Sequence, residues 1–182
     1  MYPLLRIAKS MIMARFQSPL RWGQVHVSHH ICWLWDLDLW MELNNGRTLT
    51  LYDLGRVPLA MRSGIMRVLA QQKWGMTMAG ATVRYRRRIR LFERVEMRSR
   101  CIHADGRFVY IEQSMWNRRG DCANHIVYRA AFVDANGIVA PARLAAALGQ
   151  PLPDSPPPNW LAAWIKAEDL RPWPPMRDDI AG

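Results

Sequence analysis

Two aspartates, a glutamate and two adjacent asparagines fall within ten residues of one another: Asp36, Asp38, Glu42, Asn44 and Asn45. They open the stretch DLDLWMELNNGRTLTLYDLGR, Asp36 to Arg56. A carboxylate can take a proton from water or attack a carbonyl carbon itself. Amides at the start of a helix have no intrahelical acceptor, so they can hold an oxyanion. The plainer chemistry is local. Asp and Asn are favoured caps, and a cap is worth about 1 kcal/mol.

Other candidate clusters are poorer. HVSHH holds His26, His29 and His30, but on a strand His26 and His30 share a face while His29 points away. That is a weak three-ligand set, and no metal site is expected. The three cysteines, Cys32, Cys101 and Cys122, are widely spaced with no CxxC. A disulfide framework and a zinc ribbon are both disfavoured, and a reducing cytoplasm fits best.

These residues need elements to position them. The chain has 182 residues, half of them hydrophobic, enough for one domain with a buried core. QVHVSHHICWLW, residues 24 to 35, alternates and reads as a strand. Residues 44 to 63 carry helical spacing, with Pro58 expected to kink or divide the helix and Gly64 to stop it. A shorter helix to Lys73 follows. The period then changes to two, giving strands over residues 76–92, 94–104, 107–117 and 122–134. Their short Gly-containing links, DGR and RRGD, predict an antiparallel meander. A lone amphipathic helix needs cover, and one twisted sheet can wrap it. Three segments result: an N-terminal amphipathic helix (1–23), a central domain (24–140) and a Pro-rich tail with two short helical stretches (141–182).

The net charge is +10, from 25 basic and 15 acidic residues, which favours anionic partners. In the N-terminal helix Arg6, Lys9, Ser10 and Met13 share one face, and Leu4, Leu5, Ala8 and Ile12 lie largely opposite. Residues 1–16 could lie on an anionic membrane surface; packing on their own domain is the plainer reading. No run is long enough to span a bilayer, and the unbroken apolar core of a secretory signal is missing.

A strand, then D-x-D, then N-N opening a helix with an acid some eight residues on, then an antiparallel meander: this order resembles the hotdog-fold thioesterases. It is similar to the 4-hydroxybenzoyl-CoA thioesterase-like branch, and within it to the thioesterase superfamily member 6-like proteins. Asp36, Asp38, Asn44, Asn45, Asp53 and Gly55-Arg56 stand at matching places, and GATVRYRR, Gly80 to Arg87, resembles the first strand after the helix. The resemblance covers residues 24 to 135. Two positions depart from it: the family's Gly-His is Met41-Glu42 here, and the Tyr after the asparagines is Thr48.

The resemblance implies an α+β hotdog fold, an antiparallel sheet wrapped around one long central helix with helical appendages at both ends. It implies an acyl-CoA thioesterase that needs no cofactor and works as a homodimer or higher homo-oligomer, with Met and Trp side chains lining an acyl pocket along the helix. Asp38 is then the catalytic carboxylate, with Glu42 as its rival, and the backbone amide of Asn45 an oxyanion donor. Asp53 matches the helix acid. Helical rise sets it about 12 Å beyond Asn45, so it either serves a site shared between subunits or pairs with Arg56 one turn along. Arg84, Arg86, Arg88 and Arg90 recur at a period of two, which predicts one strand face, with Arg94, Arg98 and Arg100 extending it. Guanidinium groups suit phosphates, and coenzyme A carries three of them, so Arg84, Arg86 and Arg88 become substrate-binding candidates. Basic strands with Tyr85, Phe108 and Tyr110 also suggest RNA stacking, but no RNP-type motif is present and nucleic acid is not expected. A binding module that holds acyl-CoA or lipid without turnover, at a membrane surface through residues 1–16, is the alternative.

Overall fold

The computed structural model describes residues 2–152 and 155–174. The Pro-rich tail is therefore described only in part, and the portions of it expected over 153–154 and 175–182 lie outside the described residues. Helix α1 (Leu4–Arg15) leads into strand β1 (His26–Ile31) and a short 3-10 turn (Leu34–Asp36). Three consecutive helices follow: α2 (Asn45–Leu51), α3 (Asp53–Arg62) and α4 (Ile65–Gln72). Then come β2 (Gly75–Tyr85), β3 (Arg94–Ala104), β4 (Val109–Trp116), β5 (Cys122–Asp134), β6 (Gly137–Val139), α5 (Pro141–Leu148) and α6 (Asn159–Leu170).

The sheet is antiparallel, in the order β1-β3-β4-β5-β2, with β6 paired to β5. Only β3, β4 and β5 form the expected meander. β2 crosses over to the far edge beside β5, so it does not touch β3. Val95, Met97, Ile111, Met115, Ile126 and Phe132 alternate onto one face, where Leu54, Leu59, Ile65 and Val68 of the helices cover them. This is the hotdog arrangement.

The central helix is segmented. It breaks at Tyr52 and again at Ser63-Gly64, where Gly64 takes φ 79° and stops α3 as expected. α3 runs through Pro58, however, so the expected division there does not occur. Tyr52 anchors the first break: its carbonyl accepts from Gly55 and Arg56 N–H and from buried Gln113 Nε2 at 2.9 Å. Gln113 also donates to Ser99 Oγ at 2.7 Å. Gly55 lies directly over this pair; a Cβ there would sit 2.5 Å from Ser99 Oγ and 2.6 Å from Met97 Sδ. Absence of a side chain is what lets α3 approach the sheet so closely.

α1 packs on α3, with Ala14 buried and Ile7 against the core. Leu4, Leu5, Ile12 and Phe16 point outward and are exposed. On the opposite face of the sheet α6 buries Leu161 against Phe108, Tyr110, Val127 and Ala131. Among the described residues no helix is long and apolar enough to cross a membrane.

Candidate functional site

The D-x-D segment leaves β1, makes the 3-10 turn and enters α2, and its two aspartates part company. Asp36 is fully buried. Its carboxylate accepts from Arg6 Nη1 at 2.6 Å, Arg47 Nε at 2.8 Å and the backbone N–H of Trp33 at 3.0 Å. Its carbonyl accepts from Asn44 N–H. One side chain thus joins α1, the turn and the first turn of α2. A buried carboxylate needs such partners, since an uncompensated charge there is very costly.

Asp38 sits on a tight loop with Glu42. Its N–H donates to Glu42 O at 2.9 Å, its carbonyl accepts from Met41, and its Oδ1 accepts from Trp40 N–H at 2.9 Å. It therefore does cap a turn, the plainer of the two roles its type allows. Oδ2 has no hydrogen-bond partner among the described residues, and the side chain is only half-buried. Glu42 has Arg88 Nε 2.9 Å from its Oε2, a charge contact outside hydrogen-bond alignment.

Asn44 is the N-cap of α2: its Oδ1 accepts from Arg47 N–H at 2.9 Å. Asn45 is the first helical residue, and its carbonyl accepts from Tyr85 Oη–H at 2.9 Å. Asp38 and Asn45 are thus brought to the same end of the domain by one short loop. Asp53 is not. It opens α3, where it pairs with Arg56 and accepts from Tyr2 Oη–H at 2.6 Å. That bond and the nearby charge push the Tyr2 phenol up to about 12. Arg56 in turn lies 4.2 Å over the Tyr128 ring. Within the chain Asp53 takes the salt-bridge role and, through Tyr2, ties the segment before α1 to α3.

The arginine row does not form one strand face. β2 ends at Tyr85, because both Arg86 and Arg87 N–H groups converge on Ala123 O where the ladder with β5 runs out. A bulge at Ala79 sets the phase of the strand, so Arg84 lies on the outer face beside His125, Trp160 and Trp164. Arg86 and Arg87 are exposed in the loop, and Arg88 turns to Glu42. Arg94, Arg98 and Arg100 lie on β3, with β4 and β5 between it and β2, so they extend no shared patch with it.

Two clefts lie away from the D-x-D loop. One of about 380 Å³ runs between α1 and β1, lined by Arg6, Lys9, Ser10, His26, His30 and Trp33. Another, of about 570 Å³, lies between α6 and the outer sheet face. Five of the nine tryptophans, Trp33, Trp35, Trp40, Trp160 and Trp164, stand at these surfaces or on the 33–40 loop, while Trp22 and Trp74 pack against the core. The sequence pattern alone also did not reveal the lock on His26: Arg62 Nη1 lies 2.9 Å from its Nδ1. The one advance signal was the shared strand face of His26 and His30.

A profile of the thioesterase-like superfamily matches residues 32–165. Protein THEM6 of Xenopus laevis is 31% identical over 135 residues, 74% of this chain and 64% of that protein's length. The chain thus spans less than two thirds of this relative. Among solved structures, YbaW, a probable thioesterase from Escherichia coli, superposes with TM-score 0.63 at 16% identity, over 70% of this chain and 98% of that one. SAV2348 of Staphylococcus aureus, solved in complex with CoA, gives 0.58 at 9% identity, over 76% and 94%. The structural likenesses agree with the curled sheet and central helix, and the profile spans the D-x-D loop, the helices α2 to α5 and the strands β2 to β6. The chain belongs to the thioesterase-like superfamily.

Proposed function

We propose that the protein hydrolyses an acyl-CoA thioester to the free acid and coenzyme A. The observation that carries this reading is the division between the two aspartates. Asp36 is consumed by structure, while Asp38 keeps Oδ2 open on the loop that leads to α2. In the reaction, Asp38 takes a proton from water as it adds to the thioester carbon, or adds to that carbon itself. The negative oxygen that forms is received by the Asn45 amide, and collapse expels the thiolate of coenzyme A; where Asp38 itself has added, water then cleaves the mixed anhydride to release the acid and restore the carboxylate. Arg84 and Arg86 offer exposed guanidinium groups to its phosphates; Arg88 is turned away by Glu42. A second copy joined along the free edge of β2 would complete the acyl pocket, and Asp53 would face that junction.

A second reading has its own observation. Asp38 Oδ1 is occupied by a turn, and Glu42 stands where the family pattern has His. Both favour a protein that binds acyl-CoA without cleaving it.

Coenzyme A release across an acyl-CoA panel, followed by chromatography, separates the two. The enzyme reading expects turnover that falls about 100-fold or more in Asp38→Asn, the scale of losing a general base, with fold retained. Asn45→Ala should stay close to wild type, because its backbone amide remains. Tight acyl-CoA binding with no coenzyme A released from any member of the panel would establish the binding module instead.

A further inference from the structure

Two loops are laced together at one end of the domain. Cys32 N–H donates to Glu93 O, Phe92 N–H to Cys32 O at 2.8 Å, and Leu43 N–H to Ile89 O at 2.8 Å. Glu42 and Arg90 form a further backbone bridge. Trp33 stacks on Trp35 with centroids 5.5 Å apart, and meets the Phe92 ring edge-on at 5.8 Å. Residues 32–43 and 86–93 are therefore one surface.

That surface is unusually apolar. Leu39 is 94% exposed, Trp40 76%, Trp35 66%, Leu34 and Phe92 61% each, and Met41 56%. Single exposed apolar residues need no explanation, but a group this large gathered on one end does. Met41 and Phe92 also hold φ of 58°, a region that side chains of this size avoid. Such a conformation persists only where the surroundings enforce it. Here it helps to turn two more apolar side chains outward. Around them stand Arg87, Arg90 and Arg94, all exposed and without an acidic partner among the described residues.

We propose that this end docks on a lipid surface bearing anionic headgroups. Leu39, Trp40 and Trp35 would enter the interfacial layer, where indole rings are favoured, and Arg87, Arg90 and Arg94 would meet the headgroup phosphates. Charge complementarity decides between lipid and a second copy. A two-fold contact through this end would set the three arginines against their own counterparts. The acidic side chains at this end do not balance them: Glu42 lies against Arg88, Glu93 accepts from Arg90 N–H, and Asp38 keeps Oδ2 open but is a single charge against three. An anionic bilayer carries the opposite charge and accepts the aromatic residues as well. Asp38 lies on the same loop, so docking would place the candidate site at the membrane surface.

Sedimentation of the full chain with vesicles tests this without any turnover, so it and the thioesterase reading fail separately. Vesicles of phosphatidylcholine alone are compared with vesicles containing phosphatidylserine. Binding is expected to the anionic vesicles and to weaken as salt is raised. Leu39→Ser with Trp40→Ser should lower the partition coefficient about tenfold or more. Arg87→Gln with Arg90→Gln should lower it on anionic vesicles by roughly tenfold. These side chains are exposed, and circular dichroism of each variant checks that the fold is kept. Three results would overturn the proposal. The first is wild type recovered only in the supernatant. The second is binding lost in Leu5→Ser/Ile12→Ser and kept in Leu39→Ser/Trp40→Ser, which moves the contact to α1. The third is a loop variant that turns a dimer into a monomer while the wild type ignores vesicles, making the patch an interface between copies.

Discussion

His26 is buried to 2% exposure, and Arg62 occupies its Nδ1, so the ring is held neutral with its proton on Nε2. Burial, reinforced by the neighbouring guanidinium, lowers its pKa to about 4. Burial likewise lowers His30 to about 3, with Arg6 adding to the effect. An unfolded histidine titrates near 6.5, so between about pH 6.5 and 4 the unfolded chain binds protons that the folded chain refuses. Both groups therefore contribute stability that is complete above about pH 6.5 and lost as the pH falls. Thermal melts from pH 7 to 4.5 should show Tm dropping by roughly 2–4 °C for each kcal/mol removed. His30→Gln should flatten that slope, and an unchanged slope would sink the assignment. At this scale the sequence was legible where partners are near in the chain. Asn44 as a cap and Asp53 with Arg56 were both readable from spacing. Asp36 was visible only as a motif position, because Arg6 comes from 30 residues away and its role needs the fold to be formed.

Among the elements, the contact of α3 with the sheet is the tightest constraint. Gly55→Ala would drive a methyl group into Ser99 Oγ and Met97 Sδ. Helix propensity favours Ala by ~1 kcal/mol, while overpacking costs about 1–3 kcal/mol and also disturbs Gln113. Urea denaturation should show a net loss of up to about 2 kcal/mol. A more stable variant would mean that the sheet yields there more easily than the geometry implies. The expected bounds of β3 and β5 coincide with the observed ones, since an alternating strand under a helix writes its pattern directly. β2 was expected to run on through the arginines because alternation continues past the point where hydrogen bonding stops. Periodicity reports which faces differ; it does not report whether a neighbouring strand is still present. Nor does it give strand order, so the crossover of β2 was hidden. β6, three residues long, is too short to show a period.

At the scale of the molecule, the two sheet edges differ. α1 stands beside β1 across the cleft, whereas no described strand pairs with the outer side of β2. An 11-residue edge with open N–H and C=O groups is a template for pairing. Light scattering of the purified protein should therefore give the mass of a homodimer. A monomer at concentrations where activity is measured would remove the shared pocket from the proposed mechanism. The net charge of +10 is also unevenly used. Arg6, Arg47 and Arg56 are tied into ion pairs that hold helices together, whereas Arg87, Arg90 and Arg94, on the end that carries the aromatic loop, form no ion pair among the described residues.

That loop has an optical consequence. The Trp33 and Trp35 rings lie 5.5 Å apart and within 10° of parallel. Two indoles so placed couple their electronic transitions, giving a paired circular-dichroism band that isolated tryptophans lack. The fold has thus set a chromophore pair on the loop that the proposed docking would disturb, and its signal reports whether the two rings still lie together.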